Sequence, residues 1–277
     1  MLIAVISVKG SPGVTTFSVA LAACWPGPAA RVLLVEADPS GGDVATRFSL
    51  ASTPGVASLA AAARRSTDPG LAWQHAQALP GGLAVVTTSP DADQARAALT
   101  ALVPDATAGV GVVRRAADAV QAVVIADCGR IDPESPSMPI VRSADVLIVL
   151  SRAGADDLAH LARRLPAVGG WSPCPVLLLV GAGYSIAEVA RELGVPPAGR
   201  IPEDRHGAAA LCGRRSGSRW GRRGPSHSGL GRAAHHMATT LLSHLPDAAG
   251  PKSAGPVAPP LAGGPVEQPH ERTATAP

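Results

Sequence analysis

Lysine is almost absent from this chain: of its 24 Lys and Arg residues, only Lys9 and Lys252 are lysines. Aromatic residues are nearly as scarce, at 3% of 277 residues, although apolar residues make up 46%. The core must therefore be built from Ala, Val, Leu and Ile, with Ala-rich helices packed closely on Val- and Leu-rich strands. The four cysteines, Cys24, Cys128, Cys174 and Cys212, form no C-x-x-C pair and no secreted-domain spacing, which points to free thiols in a reducing compartment. No stretch approaches the ~20 uninterrupted apolar residues of a membrane-spanning helix. The first apolar run is short and precedes its cation, the reverse of a secretory signal. A cytoplasmic protein is expected.

What is present is an alternation of short Val/Ile/Leu runs with Ala-rich helical patterns. Strands are predicted at Leu2–Val8, Val32–Glu36, Leu83–Thr88, Ala122–Asp127, Val146–Leu150, Val176–Val180 and near Arg200–Ile201. Helices are predicted over 15–23, 56–65, 92–101, 110–120, 156–165, 186–193 and 206–212. This order predicts α/β architecture: one doubly wound, mostly parallel sheet with helices on both faces, spanning 1–212. Residues 213–229 form an Arg/Gly/Ser-rich segment, 230–245 one further helix, and 246–277 a Pro/Ala/Gly-rich tail with too little apolar surface to order itself.

Three constellations could carry chemistry. Lys9-Gly10-Ser11-Pro12-Gly13-Val14-Thr15-Thr16 follows a strand and opens a helix. Its glycines would bring backbone N–H groups close to an oxyanion, and the helix dipole would add about half a positive charge. Thr15 stands where a hydroxyl would bind Mg²⁺; in a plain strand–helix turn it would instead be the helix N-cap. The second constellation is Glu36-Ala37-Asp38-Pro39, two acids at the carboxyl end of a strand, where open α/β sheets bind ligands. The third is Asp127 at the end of another apolar strand, placed to hold a metal-bound water beside a phosphate.

In this order and spacing, the chain resembles the MinD/ParA group of P-loop ATPases, whose deviant Walker A loop reads K-G-G-x-G-K-[ST]-T. Residues 9–16 match it except at Ser11 and Val14. "VLLVEADPSGGD" is similar to the group's "VLLVDxDPQGGD", "VVIADCGR" to its second carboxylate strand, "SADVLIVLSR" to its "ADxVLVVxxP" strand, and "IPEDRHGAAAL" to its late Ile-Pro-x-Asp segment. The relaxed motifs are similar to those of CpaE-like proteins of pilus and secretion systems. The resemblance implies ATP and Mg²⁺ as cofactors and a homodimer formed on nucleotide. It implies that Lys9 reaches the partner's nucleotide, that the backbone of Gly10, Ser11, Pro12, Gly13, Val14, Thr15 and Thr16 cradles phosphates, and that Thr15, Asp38 and Asp127 form the metal side. Asp38 would also position the attacking water, and Pro202, Glu203 and Asp204 would border adenine. Val14 stands where the group's phosphate-gripping lysine stands, a change worth roughly 1.5–3 kcal/mol of binding. Arg130 or Arg152 could restore the charge.

Between Arg205 and Leu245 lie seven arginines and no acid. Arg214, Arg215, Arg219, Arg222 and Arg223 could meet the phosphates of nucleic acid or a membrane surface; equally, they could form a solvated loop. The apolar face Leu230, Ala233, Ala234, Met237, Leu241 and Leu245 could lie on a membrane or pack on the domain. Three functions are thus expected in competition. One is a nucleotide-dependent spatial organiser with a partitioning, pilus or secretion partner. The second is a pseudo-ATPase scaffold. The third is a dinucleotide-dependent oxidoreductase with Glu36 on a ribose, although residues 10–13 lack the G-x-G-x-x-G spacing.

Overall fold

The first apolar run becomes the centre of the sheet. In the computed structural model, which describes residues 1–27, 30–102, 111–211 and 227–244, Leu2–Ser7 (β1) is buried at every position. A strand apolar throughout must be covered on both faces, and β1 pairs in parallel with Ala122–Arg130 (β5) and Val146–Ala153 (β6). Arg31–Glu36 (β2), Gln77–Ala78 (β3), Ala84–Val86 (β4), Pro175–Gly183 (β7) and Gly199–Ile201 (β8) complete an eight-stranded sheet in the order β3-β4-β2-β5-β1-β6-β7-β8. Among the described residues, only β3 with β4 is antiparallel. The chain passes from β1 to β2 over β5, so the carboxyl ends of β1, β5 and β2 border a crevice of the kind that receives ligands in open sheets.

The helices are Val14–Ala23 (α1), Val44–Phe48 (α2), Val56–Ala63 (α3), Leu71–Gln74 (α4), Ala92–Leu102 (α5), Val112–Ala117 (α6), Met138–Ser143 (α7), Ala155–Val168 (α8), Ile186–Leu193 (α9), Arg205–Leu211 (α10) and Gly229–His244 (α11). The period-2 alternation of β1 divides the core between two faces. Leu2, Ala4 and Ile6 pack with Leu59, Leu99, Leu161 and Val189 from α3, α5, α8 and α9. Ile3 and Val5 pack with Phe17 and Leu21 of α1, Leu211 of α10, and Leu230 and Met237 of α11. This is the doubly wound α/β arrangement. Phe17, one of only two phenylalanines, is 2% exposed; cutting it to Ala should cost about 3–5 kcal/mol.

The final helix buries its apolar face. Leu230, Ala234, Met237, Ala238 and Leu241 join the layer under α1, so that face is not presented to a membrane. It is fixed at its start by Asp204, whose Oδ1 accepts from the Gly207 N–H at 2.7 Å and whose Oδ2 accepts from the Leu230 N–H at 3.2 Å. One carboxylate thus joins the first turns of α10 and α11. Burial alone would raise its pKa, but these backbone donors outweigh burial and lower it.

Several elements differ from the sequence reading. The helix expected over 110–120 forms as α6 alone, and Val110 lies outside the described residues. The helices α2, α4 and α7 and the edge strand β3 were not expected, because four to six residues, or two, display no period. Strands β5, β6 and β7 run beyond their expected ends, to Arg130, Ala153 and Gly183. Arg214, Arg215, Arg219, Arg222 and Arg223, and the tail from 246, lie outside the described residues. No helix among the described residues is long and apolar enough to cross a membrane.

Candidate phosphate and metal site

The turn from β1 into α1 depends on two left-handed glycines, Gly10 at φ 65° and Gly13 at φ 95°, a conformation that L side chains rarely tolerate. Gly13 is the N-cap of α1 and has no side chain with which to cap the helix. Thr15 therefore sits inside the first turn and does not cap it, so the plain-turn alternative for this residue does not form. Uncapped first-turn N–H groups and the aligned helix dipole leave a place for an oxyanion. Lys9, partly exposed just before Gly10, makes no ion pair among the described residues. Val14 is 6% exposed and packs in the layer containing Phe17, Leu21 and Leu150. Its side chain belongs to the core and brings no charge to the turn.

Beside the turn lies a cleft of about 210 Å³. Ser11, Pro12, Gly13 and Thr16 of the loop and Arg152, Val180, Pro202, Glu203 and Asp204 of later elements line it together; Val14 is not in its wall. The structure thus brings the loop and the expected adenine-side residues 202–204 to one space. Within it their roles diverge: both oxygens of Asp204 are engaged by backbone, whereas Glu203 remains 58% exposed and faces Arg152.

At the carboxyl ends of β2 and β5 three acids come together, and one of them, Asp127, meets Thr15. Asp127 is 1% exposed. Its Oδ1 accepts from the Gly129 N–H at 3.2 Å, and its Oδ2 has no hydrogen-bonding partner. Burial, reinforced by Glu36 and Asp38, pushes its pKa up to about 7; the Thr15 side chain and the Gly129 N–H act the other way. Asp38 is half-buried, with Oδ1 accepting from the Ser40 N–H at 2.8 Å. Its carboxylate lies against Gly129, where a Cβ would come within 2.0 Å of Oδ2. Burial raises its pKa as well, opposed by Ser40 and by the charge of Arg130.

Glu36 turns out to be a structural residue. Its Oε1 accepts from the N–H groups of Asp43 and Val44 at 2.7 and 2.9 Å, and its Oε2 accepts from that of Thr88 at 3.0 Å. The chain at Gly42 packs so closely that a Cβ would meet Glu36 Oε2 at 2.2 Å. A carboxylate 1% exposed and satisfied by three backbone donors has no free face for a metal or a ribose. The geometry therefore speaks against the oxidoreductase reading. Burial nonetheless raises the pKa of Glu36, against the pull of those three donors.

Could this set hold Mg²⁺? No group of three His, Cys, Asp or Glu among the described residues converges as a self-sufficient metal site. Mg²⁺ does not need one: it keeps several waters and is held by one or two carboxylates together with phosphate oxygens. The buried, partnerless Oδ2 of Asp127, with Thr15 and Asp38 beside it, fits that demand.

No family model matches this sequence, and a comparison with curated proteins also finds no match. Solved structures do resemble it. A ParA family ATPase from Chlorobium tepidum superposes with a TM-score of 0.66 at 15% identity, covering 86% of this chain and 98% of that one. The cell division ATPase MinD of Pyrococcus furiosus gives 0.63 at 15% identity, covering 88% and 98%. Cobyrinic acid a,c-diamide synthase from Mycobacterium smegmatis, with a bound ATP analogue and magnesium, gives 0.57 at 20% identity, covering 89% and 96%. The fold is therefore that of the ParA/MinD ATPases, a fold that also carries a biosynthetic synthase. Function must be argued from the site.

Proposed function

We propose that this chain is a nucleotide-dependent spatial organiser of the ParA/MinD kind, binding ATP with Mg²⁺ where α1 begins. The observation that carries the reading is the unpaired, fully buried Oδ2 of Asp127 beside Thr15 and an uncapped helix N-terminus. Backbone N–H groups of residues 10, 11 and 13–16 receive the phosphates, Thr15 and Asp127 hold the metal, and Asp38 orients the attacking water. Bound Mg²⁺ neutralises phosphate charge there. The base lies along Pro202 and Glu203, and Lys9 reaches the nucleotide of a second copy in the dimer. With Val14 in place of a lysine, any hydrolysis is slow, since charge stabilisation supplies most of phosphoryl transfer. The protein works in the cytoplasm as a dimer switch for a partitioning, pilus or secretion partner. The arginines 214–223 supply any contact with DNA or a membrane surface.

Val14 also favours a second reading, a pseudo-ATPase scaffold that kept the fold and lost ATP use. Labelled ATP with Mg²⁺ separates the two. Micromolar binding with slow turnover supports the switch; neither binding nor turnover at millimolar ATP supports the scaffold.

A further inference from the structure

The loop has lost its cation, and the cleft wall offers another. Strand β6 runs beside β1, with Leu150 in register with Ser7. Ile148 and Leu150 lie in the α1-side layer; two residues on, Arg152 continues the same face past the end of the core. There it lines the same cleft as Gly13 and Thr16. Its Nη1 lies 3.7 Å from Glu203 Oε1, and the two side chains are 53% and 58% exposed. Glu203 is held over the end of β7 at Gly181, where φ is +74° and a Cβ would come within 2.8 Å of Glu203 Oε1. A glycine there is what lets the carboxylate approach.

The geometry points to Arg152 as the replacement phosphate cation of this site, with Glu203 as the internal carboxylate that it exchanges for a ligand oxyanion. The inference rests on the nucleotide reading above and names the residue that makes it workable despite Val14. An exposed ion pair at this distance contributes little to stability and breaks readily. A guanidinium matches phosphate oxygens through two parallel N–H donors, a stronger pairing than the one it leaves. Glu203 therefore acts against anion binding twice, by occupying Arg152 and by placing a negative charge in the cleft. The chemistry recognised is a polyphosphate chain, which a nucleotide or a free polyphosphate could equally present.

Calorimetric titration of the full chain with Mg·ATP, adenosine and inorganic tripolyphosphate tests this on wild type, R152A, R152K and E203Q, with circular dichroism as the check on folding. R152A should weaken ATP about tenfold and leave adenosine unchanged, R152K should lie between, and E203Q should tighten ATP several-fold. Tripolyphosphate binding that follows the same order identifies the chain of phosphates as the recognised group; ATP responding alone identifies the nucleotide. Wild-type affinity for ATP in R152A overturns the inference while leaving the nucleotide reading intact. So does an equal loss for ATP and adenosine, which would place Arg152 on the base. If wild type binds no ATP at millimolar concentration, both fail together.

Discussion

Glu36 and Asp127 sit directly opposite each other on neighbouring parallel strands, both 1% exposed, yet their hydrogen-bond partners differ. Glu36 is closed in by three backbone donors and by Gly42, so its charge is consumed in tying the start of α2 and the end of β4 to β2. Asp127 has a single backbone donor, on one oxygen, with the Thr15 side chain beside it, and its Oδ2 has no hydrogen-bonding partner. Burial raises the pKa of both, but only for Glu36 do backbone donors oppose it from three sides. The lesson is general. Two acids of equal burial can differ in how far the fold itself uses their hydrogen-bonding capacity, and the partners tell them apart.

Substitution should separate the two most sharply. Asp127→Asn and Thr15→Ala should each abolish the Mg²⁺-dependent part of ATP binding; unchanged titrations with and without EDTA would contradict the metal roles. Glu36→Ala should instead damage the fold, leaving three N–H groups unpaired at a cost of about 3–6 kcal/mol in denaturant unfolding, with Mg²⁺ dependence retained in whatever folds. If Glu36→Ala unfolds like wild type, the structural role assigned to Glu36 is wrong.

The apo protein's pH dependence sharpens the contrast further. Folded Asp127 titrates near 7 against 3.8 ordinarily, so the folded state holds a proton that the unfolded chain releases. The stability this provides is complete below about pH 4 and lost as pH rises through 7. Asp127→Asn removes that loss. Melting curves of mutant and wild type should diverge in the mutant's favour from pH 4 to pH 8, by at most about 4 kcal/mol. Divergence in the opposite direction would show that the carboxylate is already paired in the apo protein.

Val14→Lys addresses the cation side. It should tighten ATP by ~1.5–3 kcal/mol as the longer side chain leaves the apolar layer for the phosphates, while lowering the melting temperature; no gain in affinity would mean that a cation at this position does not reach the phosphate. The smallest effect belongs to Asp204→Ala, which should cost about 1 kcal/mol by uncapping α10 and α11, with ATP binding little changed. A large loss of binding there would return Asp204 to the base.

Much of this was legible in the chain. β1 could be placed centrally because an all-apolar strand needs two covered faces, and Asp38, Asp127 and Thr15 could be brought to one end because strand ends and turn glycines mark it. What the residues could not show was long-range closure. Nothing in Glu36-Ala37-Asp38 announces that the N–H groups of residues 43, 44 and 88 converge on Glu36; the one available signal was Gly41-Gly42, a pair that permits close backbone approach. Arg152 was visible as a spare cation, but only the register of β6 on β1 puts it in the same cleft as the loop. The position of Asp204 similarly depends on α11 returning to α1.

The most direct test is a calorimetric ATP titration of the wild-type protein in Mg²⁺ and again in EDTA. The expected result is micromolar binding in Mg²⁺ that weakens at least tenfold on chelation. Equal affinity in the two buffers, or no heat at millimolar ATP in either, would contradict a metal-linked phosphate seat at Asp127.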